Sequence, residues 1–288
     1  MESHTGQIAN VSSGQVEYTL AGKGHTVLVS HGTLGGFDQG LAIAALFKQD
    51  RFRFLCVSRA GYLRSTPQTG RTPDEQAHTY AELLDHEGID KVALLGVSGG
   101  APSAIRFAQN YPDRCCCLVL LSAIVAKPPP MPAFFRTMIR FQDVMMRVDP
   151  LWRLAYRFGL KQLVSSNGLT PDQTDQVLQD PHLRRVVRGI YQPITNASRR
   201  RRGMRLDHEQ INALPDSPNY ELNGPVFIGH AANDPLAPVA HAQELADALL
   251  HANFVELPDG GHIFFVVHSQ KLIPQIEQFL KTNAPDGR

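Results

Sequence analysis

Short, nearly uninterrupted apolar runs recur along the chain at Thr26 to Ser30 (TVLVS), Arg53 to Ser58 (RFLCVS), Lys91 to Gly96 (KVALLG), Cys117 to Ser122 (CLVLLS), Pro225 to Gly229 (PVFIG) and Phe254 to Leu257 (FVEL). Runs of this length and composition read as strands buried on both faces. Between the third and fourth, Ala104, Ile105, Phe107 and Ala108 share a helical face. The spacing predicts a helix over Ala101 to Asn110 that ends before Tyr111-Pro112, because proline disfavours the helical conformation in the residue ahead of it. Strand, helix and strand in repetition predict an α/β fold: a mostly parallel central sheet with helices on both faces.

The alternation stops after about Val125, at the proline-rich stretch Lys127 to Pro132, and resumes near Pro225 after a second loop-forming stretch, Leu214 to Gly224. Three segments follow: a core over 1–125, a helical insertion over 126–216, and the second part of the core over 217–288. Within the insertion, apolar groups every three or four positions from Phe134 to Val164 predict two helices parted at Pro150. Further helical pieces are expected after Pro171 and Pro181. Met1 to Ser13 is polar and is expected to be a loose arm. It lacks the basic patch and apolar run of a secretory signal, and no window reaches the roughly 18 apolar residues that span a bilayer. The expected setting is cytoplasmic.

Composition narrows the class. A chain of 288 residues that is 43% hydrophobic and 19% charged can close a core, which excludes a disordered polypeptide. A formal net charge of +1 carries no footprint of a nucleic-acid binder. Charge is nevertheless divided: residues 126–215 carry a net +8 and the remainder −7, with Arg199 to Arg202 in a row. A solvated, partly salt-bridged helical surface docked on an acidic core accounts for this. Attraction to anionic substrates or lipid headgroups competes with it, so a peripheral membrane contact stays open without being favoured. Cys115, Cys116 and Cys117 are consecutive, a spacing that suits neither a disulfide framework nor a zinc site. A reducing compartment is expected.

The chemistry begins at Gly96-Val97-Ser98-Gly99-Gly100, a G-x-S-x-G between a predicted strand and a predicted helix. A serine on such a sharp turn needs small neighbours, and its Oγ is held out at the sheet edge beside the free N–H groups of the helix start. Such a hydroxyl needs a general base, and the base needs an acid to fix its tautomer. His262, in Asp259-Gly260-Gly261-His262 just after the last apolar run, is the expected base. His78 and His86 precede the serine in a predicted helix, and His241, His251 and His268 fall on helical or solvent-facing stretches. Asp234, in the loop after Pro225 to Gly229, is the expected acid, although a turn residue before Pro235 is the plainer account of it taken alone. The loop His31-Gly32-Thr33-Leu34-Gly35-Gly36 is expected to bring a backbone N–H to the oxygen that turns negative in acyl transfer. The expected donors are the Gly99 and Thr33 amides, with Leu34 as the alternative to Thr33. His31 is expected to brace this loop. The chemistry calls for no metal and no organic cofactor.

With these residues the chain resembles the α/β-hydrolase superfamily, in particular its cap-bearing serine esterase-like members. The resemblance covers roughly 15–125 and 217–288; the insertion matches only as a helical cap, or lid, in the usual place. Ser58-Arg59-Ala60-Gly61-Tyr62-Leu63-Arg64-Ser65 is similar to the family's Arg-x-Gly-x-x-x-Ser loop, from which Leu63 departs by replacing a glycine. The resemblance implies that Arg59 and Ser65 support the site. It also implies that relatives with an aspartate nucleophile are excluded, since position 98 is serine. The function so implied is hydrolysis of a carboxylic ester of a small or medium apolar substrate through a Ser98-His262-Asp234 triad. A C–C bond hydrolase, an acyltransferase with the same triad and a non-catalytic ligand-binding protein are the alternatives. Phe134, Phe135, Met138, Phe141, Met145, Met146, Leu151, Trp152, Tyr156 and Phe158 are the candidates for the pocket wall; some subset of them is expected to face the cavity, while most pack between helices and onto the core. A small-molecule substrate is the only partner these residues imply; they leave the oligomeric state open.

Overall fold

The structure, a computed structural model, describes residues 5–129, 144–218 and 220–284. Its strands are β1 (Gln7–Val11), β2 (Gly14–Gly22), β3 (His25–Ser30), β4 (Phe52–Val57), β5 (Val92–Val97), β6 (Cys115–Leu121), β7 (Val226–Ala231) and β8 (Ala252–Leu257). They form one sheet in the order β1-β2-β4-β3-β5-β6-β7-β8. The pairings from β4 to β8 are parallel, and β2 is antiparallel to both of its neighbours. The apolar runs therefore became strands of a mostly parallel sheet, as their composition predicts.

The helices are α1 (Phe37–Ala44), α2 (Pro73–His86), α3 (Ala101–Asn110), α4 (Asp149–Ser165), α5 (Pro171–Gln179), α6 (Pro181–Tyr191), α7 (Arg201–Asn212), α8 (Val239–Ala248), α9 (Phe264–Val267) and α10 (Ser269–Asn283). The pleat sorts alternate side chains to opposite faces. Val27 and Val29 join the cluster that includes Ile43 of α1 and Ile276 of α10. Leu28 between them joins the other, with Tyr80 of α2, Phe107 of α3 and Leu245 of α8. Both faces are covered, as a parallel sheet requires.

The N-terminus differs from expectation. The loose arm foreseen over 1–13 is, from Gln7 on, the edge strand of a hairpin in which Val11 faces Gly14 and Ile8 faces Glu17. Its strands mix polar and apolar positions and make no apolar run, so buried Val16 and Tyr18 were the only trace of them in the sequence.

Between β6 and β7 the described chain is helical, with a 3-10 segment over Gln192–Arg199 between α6 and α7. Pro150 stands in the first turn of α4, where its missing N–H leaves no bond unmade. The helix expected ahead of it falls largely on 130–143, outside the described residues. Thr170 and Gln173 close a capping box at the start of α5, and Asp180 accepts from the His182 and Leu183 amides at the start of α6. The arginine run is not uniformly solvated: Arg200 is wholly buried and pairs with Asp38 at the start of α1. Among the described residues no helix is long and apolar enough to cross a membrane.

Candidate active site

The sheet's carboxyl edge gathers the loops that matter. Ser98 follows β5 directly with φ 50°, the left-handed region that L side chains rarely adopt. The next turn is equally constrained, because a Cβ on Gly100 would strike the carbonyl oxygens of Ser30 and His31. Strand, strained residue and helix thus aim the Ser98 side chain outward while leaving it 8% exposed.

His262 comes from the loop beyond β8. It is preceded by Gly261 at φ 55°, whose hypothetical Cβ would run into Asn167 O. The His262 amide donates to that same Asn167 O at 2.8 Å, and Ser122 Oγ donates to His262 O at 2.8 Å. So held, the ring places Nε2 2.9 Å from Ser98 Oγ and Nδ1 2.8 Å from Asp234 Oδ2. With Nδ1–H donating to the carboxylate, Nε2 is left to accept the serine proton. Asp234, beyond β7, also accepts the Leu236 amide at 2.8 Å and the Ala237 amide at 3.1 Å through Oδ1. Burial works against its charge, but the hydrogen bonds from His230 and His262, the nearby imidazole and the Leu236 amide outweigh burial and hold its carboxyl well below the ordinary range.

The loop after β3 lies against the elbow. Gly32 donates to Gln39 Oε1 at 3.0 Å, Gly35 donates to Gly32 O at 3.1 Å, and Leu34 donates to Tyr62 Oη at 3.1 Å. The Leu34 amide is therefore already engaged, which removes it as the alternative donor. A Cβ on Gly99 would lie 3.5 Å from Thr33 N, so the Thr33 and Gly99 backbones are close neighbours. A cavity of about 290 Å³ opens here, bounded by Thr33, Ser98 and His262 from the core and by Ile190, Tyr191 and Ile194 from the insertion. A larger cleft of about 760 Å³ sits at the opposite sheet edge, among the strand starts Thr26, Arg53 and Val92, far from this chemistry.

Ser98, Asp234, His262, Thr33 and Gly99 thus converge, while the described aromatic residues named for the pocket do not. Phe158 is 76% exposed, Met146 packs with Ala197 and Met204, and Trp152 leans on that small cluster. None of Met145, Met146, Leu151, Trp152, Tyr156 and Phe158 borders the cavity; Phe134, Phe135, Met138 and Phe141 lie outside the described residues. Among the described residues of the insertion, α4 carries Trp152, Tyr156 and Phe158, and α6 with the 3-10 segment after it supplies lining of the cavity. His31 braces the loop as expected: Nδ1–H donates to Gly32 O at 2.7 Å and Nε2 accepts the Arg59 amide at 3.0 Å.

Several residues of the site carried no sequence signal of their role. His230 is wholly buried with Nε2 3.0 Å from Ala237 O and 3.4 Å from Asp234 Oδ2. Its only hint was its place at the end of a buried strand, four residues before Asp234. The four cysteines are free, and burial pushes the Cys115 thiol up to about 12, which disfavours a thiolate there. Among the described residues no cluster of metal-ligating side chains occurs.

Over residues 25–269 the chain matches the family model described as alpha/beta hydrolase fold. It is 36% identical over 111 residues to a Bacillus subtilis protein named "Uncharacterized hydrolase YcgS", a stretch that is 38% of this chain and 39% of that one. It is 31% identical over 144 residues to the 2-hydroxy-6-oxononadienedioate/2-hydroxy-6-oxononatrienedioate hydrolase of Paraburkholderia phymatum, spanning 46% of this chain and half of that protein. Among solved structures, an alpha/beta hydrolase fold protein from Nakamurella multipartita superposes with a TM-score of 0.81 at 26% identity, covering 97% of this chain and 99% of the other.

Proposed function

The chain belongs to the alpha/beta hydrolase fold family, and on that premise we propose that it hydrolyses a carboxylic ester of a small or medium apolar substrate through an acyl-enzyme on Ser98. The observation that carries this reading is the continuous line from Asp234 Oδ2 through His262 to Ser98 Oγ, with links of 2.8 and 2.9 Å. His262 Nε2 takes the hydroxyl proton as Ser98 Oγ attacks the ester carbonyl, and the Thr33 and Gly99 amides receive the oxygen that becomes negative. The tetrahedral adduct collapses as His262 returns that proton to the leaving alkoxide. Water, deprotonated by the same nitrogen, then attacks the acyl-enzyme, and Ser98 regains its proton as the acid leaves. Asp234 stays ionised throughout and stabilises the imidazolium. The helical insertion acts as the cap: Ile190, Tyr191 and Ile194 roof an apolar chamber of about 290 Å³, which favours a compact acyl group.

A second reading, attack on a ketone with C–C cleavage by the same residues, draws support from the similarity to the oxononadienedioate hydrolase. Product identification separates the two. The test of the nucleophile is intact-mass spectrometry after exposure to a small fluorophosphonate. One adduct on the native protein and none on Ser98→Ala is expected, together with a loss of ester turnover of roughly four orders of magnitude. No adduct on the folded native protein would overturn the hydrolase reading and bring the ligand-binding alternative forward.

A further inference from the structure

Beneath the Thr33 turn lies a buried cluster that joins the insertion to the core. Asp207 of α7 and Arg59 of the loop after β4 are each 1% exposed at the side chain. They meet as a fork, Nη1 to Oδ1 at 2.5 Å and Nη2 to Oδ2 at 2.6 Å. Tyr62 Oη donates to Asp207 Oδ2 at 2.6 Å and accepts the Leu34 amide at 3.1 Å. Arg59 Nε donates to His31 O at 2.9 Å, so residues on both sides of Thr33 are gripped from below. Burial first, and then the Asp207 carboxylate, push the Tyr62 hydroxyl well above its ordinary range and keep it a neutral O–H, able to donate and accept at once.

Leu34 sits at φ 66°, a conformation that an L residue holds only where its surroundings enforce it. The Tyr62 hydroxyl holds its amide, and Met146, Ala197 and Met204 pack its side chain. With the Leu34 amide engaged below, the neighbouring amide, Thr33, is the one that lies beside Gly99, and Thr33 borders the same cavity as Ser98. The cluster is also close to the second donor, since a Cβ on Gly99 would lie 3.5 Å from Asp207 Oδ2. A carboxylate so near a developing oxyanion would oppose it, and the Arg59 fork neutralises that charge.

We propose that Tyr62 and Asp207 are positioning residues for the acyl-transfer step: Asp207 orients the Tyr62 hydroxyl, the hydroxyl holds the Leu34 amide, and the turn so fixed aims the Thr33 amide at the oxyanion. The proposal rests on the ester-hydrolase reading for the identity of that oxygen. It makes the α7 end of the insertion part of the transition-state machinery, not merely a wall of the substrate chamber.

Tyr62→Phe tests it, because the ring that packs edge-on against His31 at 4.7 Å is retained and only the hydroxyl is lost. On short p-nitrophenyl esters, kcat is expected to fall about 10- to 100-fold with KM within about threefold, the signature of an interaction made only in the transition state. Inhibition by a small trifluoromethyl ketone, whose adduct with Ser98 carries an oxyanion, should weaken by the same factor as kcat/KM. Amide hydrogen exchange at residues 32–35 should accelerate by more than any fall in global stability accounts for, because the lost hydroxyl bonds are local. Unchanged kcat, or unchanged exchange at Leu34, would overturn the proposal. Should Tyr62→Phe fail to fold, exchange is read on the native protein instead: the Leu34 amide is expected to exchange more slowly than the Thr33 amide, and a Leu34 amide that exchanges as fast as Thr33 would overturn the proposal. If the native protein takes no fluorophosphonate, the ester-hydrolase reading falls. Faster loop exchange in Tyr62→Phe would then reduce the cluster to a scaffold and overturn its catalytic role.

Discussion

The helical insertion has an inner and an outer side, and they meet the rest of the molecule in different ways. On the inner side, Asn167 O accepts the His262 amide at 2.8 Å, Gly168 O accepts from Asn233 Nδ2 at 2.9 Å, Gly203 N donates to Gly61 O at 2.9 Å, and Arg199 O accepts the Leu63 amide at 3.0 Å. These bonds are made to the loops that carry His262, Asp234 and Tyr62. On the outer side, α4 leaves Leu154 56% and Phe158 76% exposed. A buried, directional contact fixes geometry, whereas an exposed apolar side chain loses little when it moves. The insertion is therefore not one rigid lid: its inner segments are continuous with the catalytic edge, and α4 is a layer laid over them.

The largest test of this contrast is a pair of arginines. Arg59→Met strands the Asp207 carboxylate in the interior without its partner and is expected to cost about 3 to 5 kcal/mol. Arg157→Met on α4 removes an exposed guanidinium that lies 5.6 Å from the Phe158 ring, and is expected to cost no more than about 0.5 kcal/mol. Urea denaturation midpoints measure both. Equal losses would erase the distinction between the two sides.

Which of these features could be read from the sequence follows from range. The elbow at Ser98 and the helix over Ala101–Asn110 are written in contiguous residues, by glycine spacing and by period. Asp234 and His262, which stand within hydrogen-bonding reach of each other and of Ser98, were found by their places in loops after apolar strands. Arg59 and Asp207 are separated by 148 positions, and nothing in Leu206-Asp207-His208-Glu209 marks one acid as buried and the next as solvated. That none of the described candidates over 145–158 borders the cavity has a related reason. Periodicity shows that α4 is amphipathic but not which helix lies next to Ser98; packing put α6 there, with Ile190 8% exposed against the core.

A smaller effect tests the inner side through pH. Burial, and after it the Arg59 charge, hold the His31 imidazole well below its ordinary value of 6.5. Its Nε2 accepts the Arg59 amide and has no room for a proton. In the unfolded chain His31 takes up a proton near pH 6.5 and in the folded protein it does not. The folded state is therefore expected to lose stability as pH falls below about 6.5, with the Asp234 carboxylate adding a separate loss only below about 3.8. The urea midpoint should decline between pH 7.5 and 5, and His31→Gln should lessen that decline, leaving the share of His208, whose imidazole burial also holds low. A native protein with no slope in this window would mean that the His31 ring takes a proton in place, and that the cluster under Thr33 is less closed than its contacts imply.

The smallest effect belongs to the outer layer. Phe158→Ser exchanges a ring that is already 76% in water, so little apolar area is returned to solvent on substitution, and the change in stability is expected to stay within about 0.5 kcal/mol. Turnover of short esters should be unchanged, because the cavity is bordered by Ile190, Tyr191 and Ile194 and not by Phe158. Denaturation midpoint and kcat/KM on a short p-nitrophenyl ester measure the two expectations together. A loss of 2 kcal/mol or more, the order expected for a buried aromatic, would mean that Phe158 is covered in solution. Its helix would then belong with the anchored part of the insertion, and the contrast between the two sides would not hold.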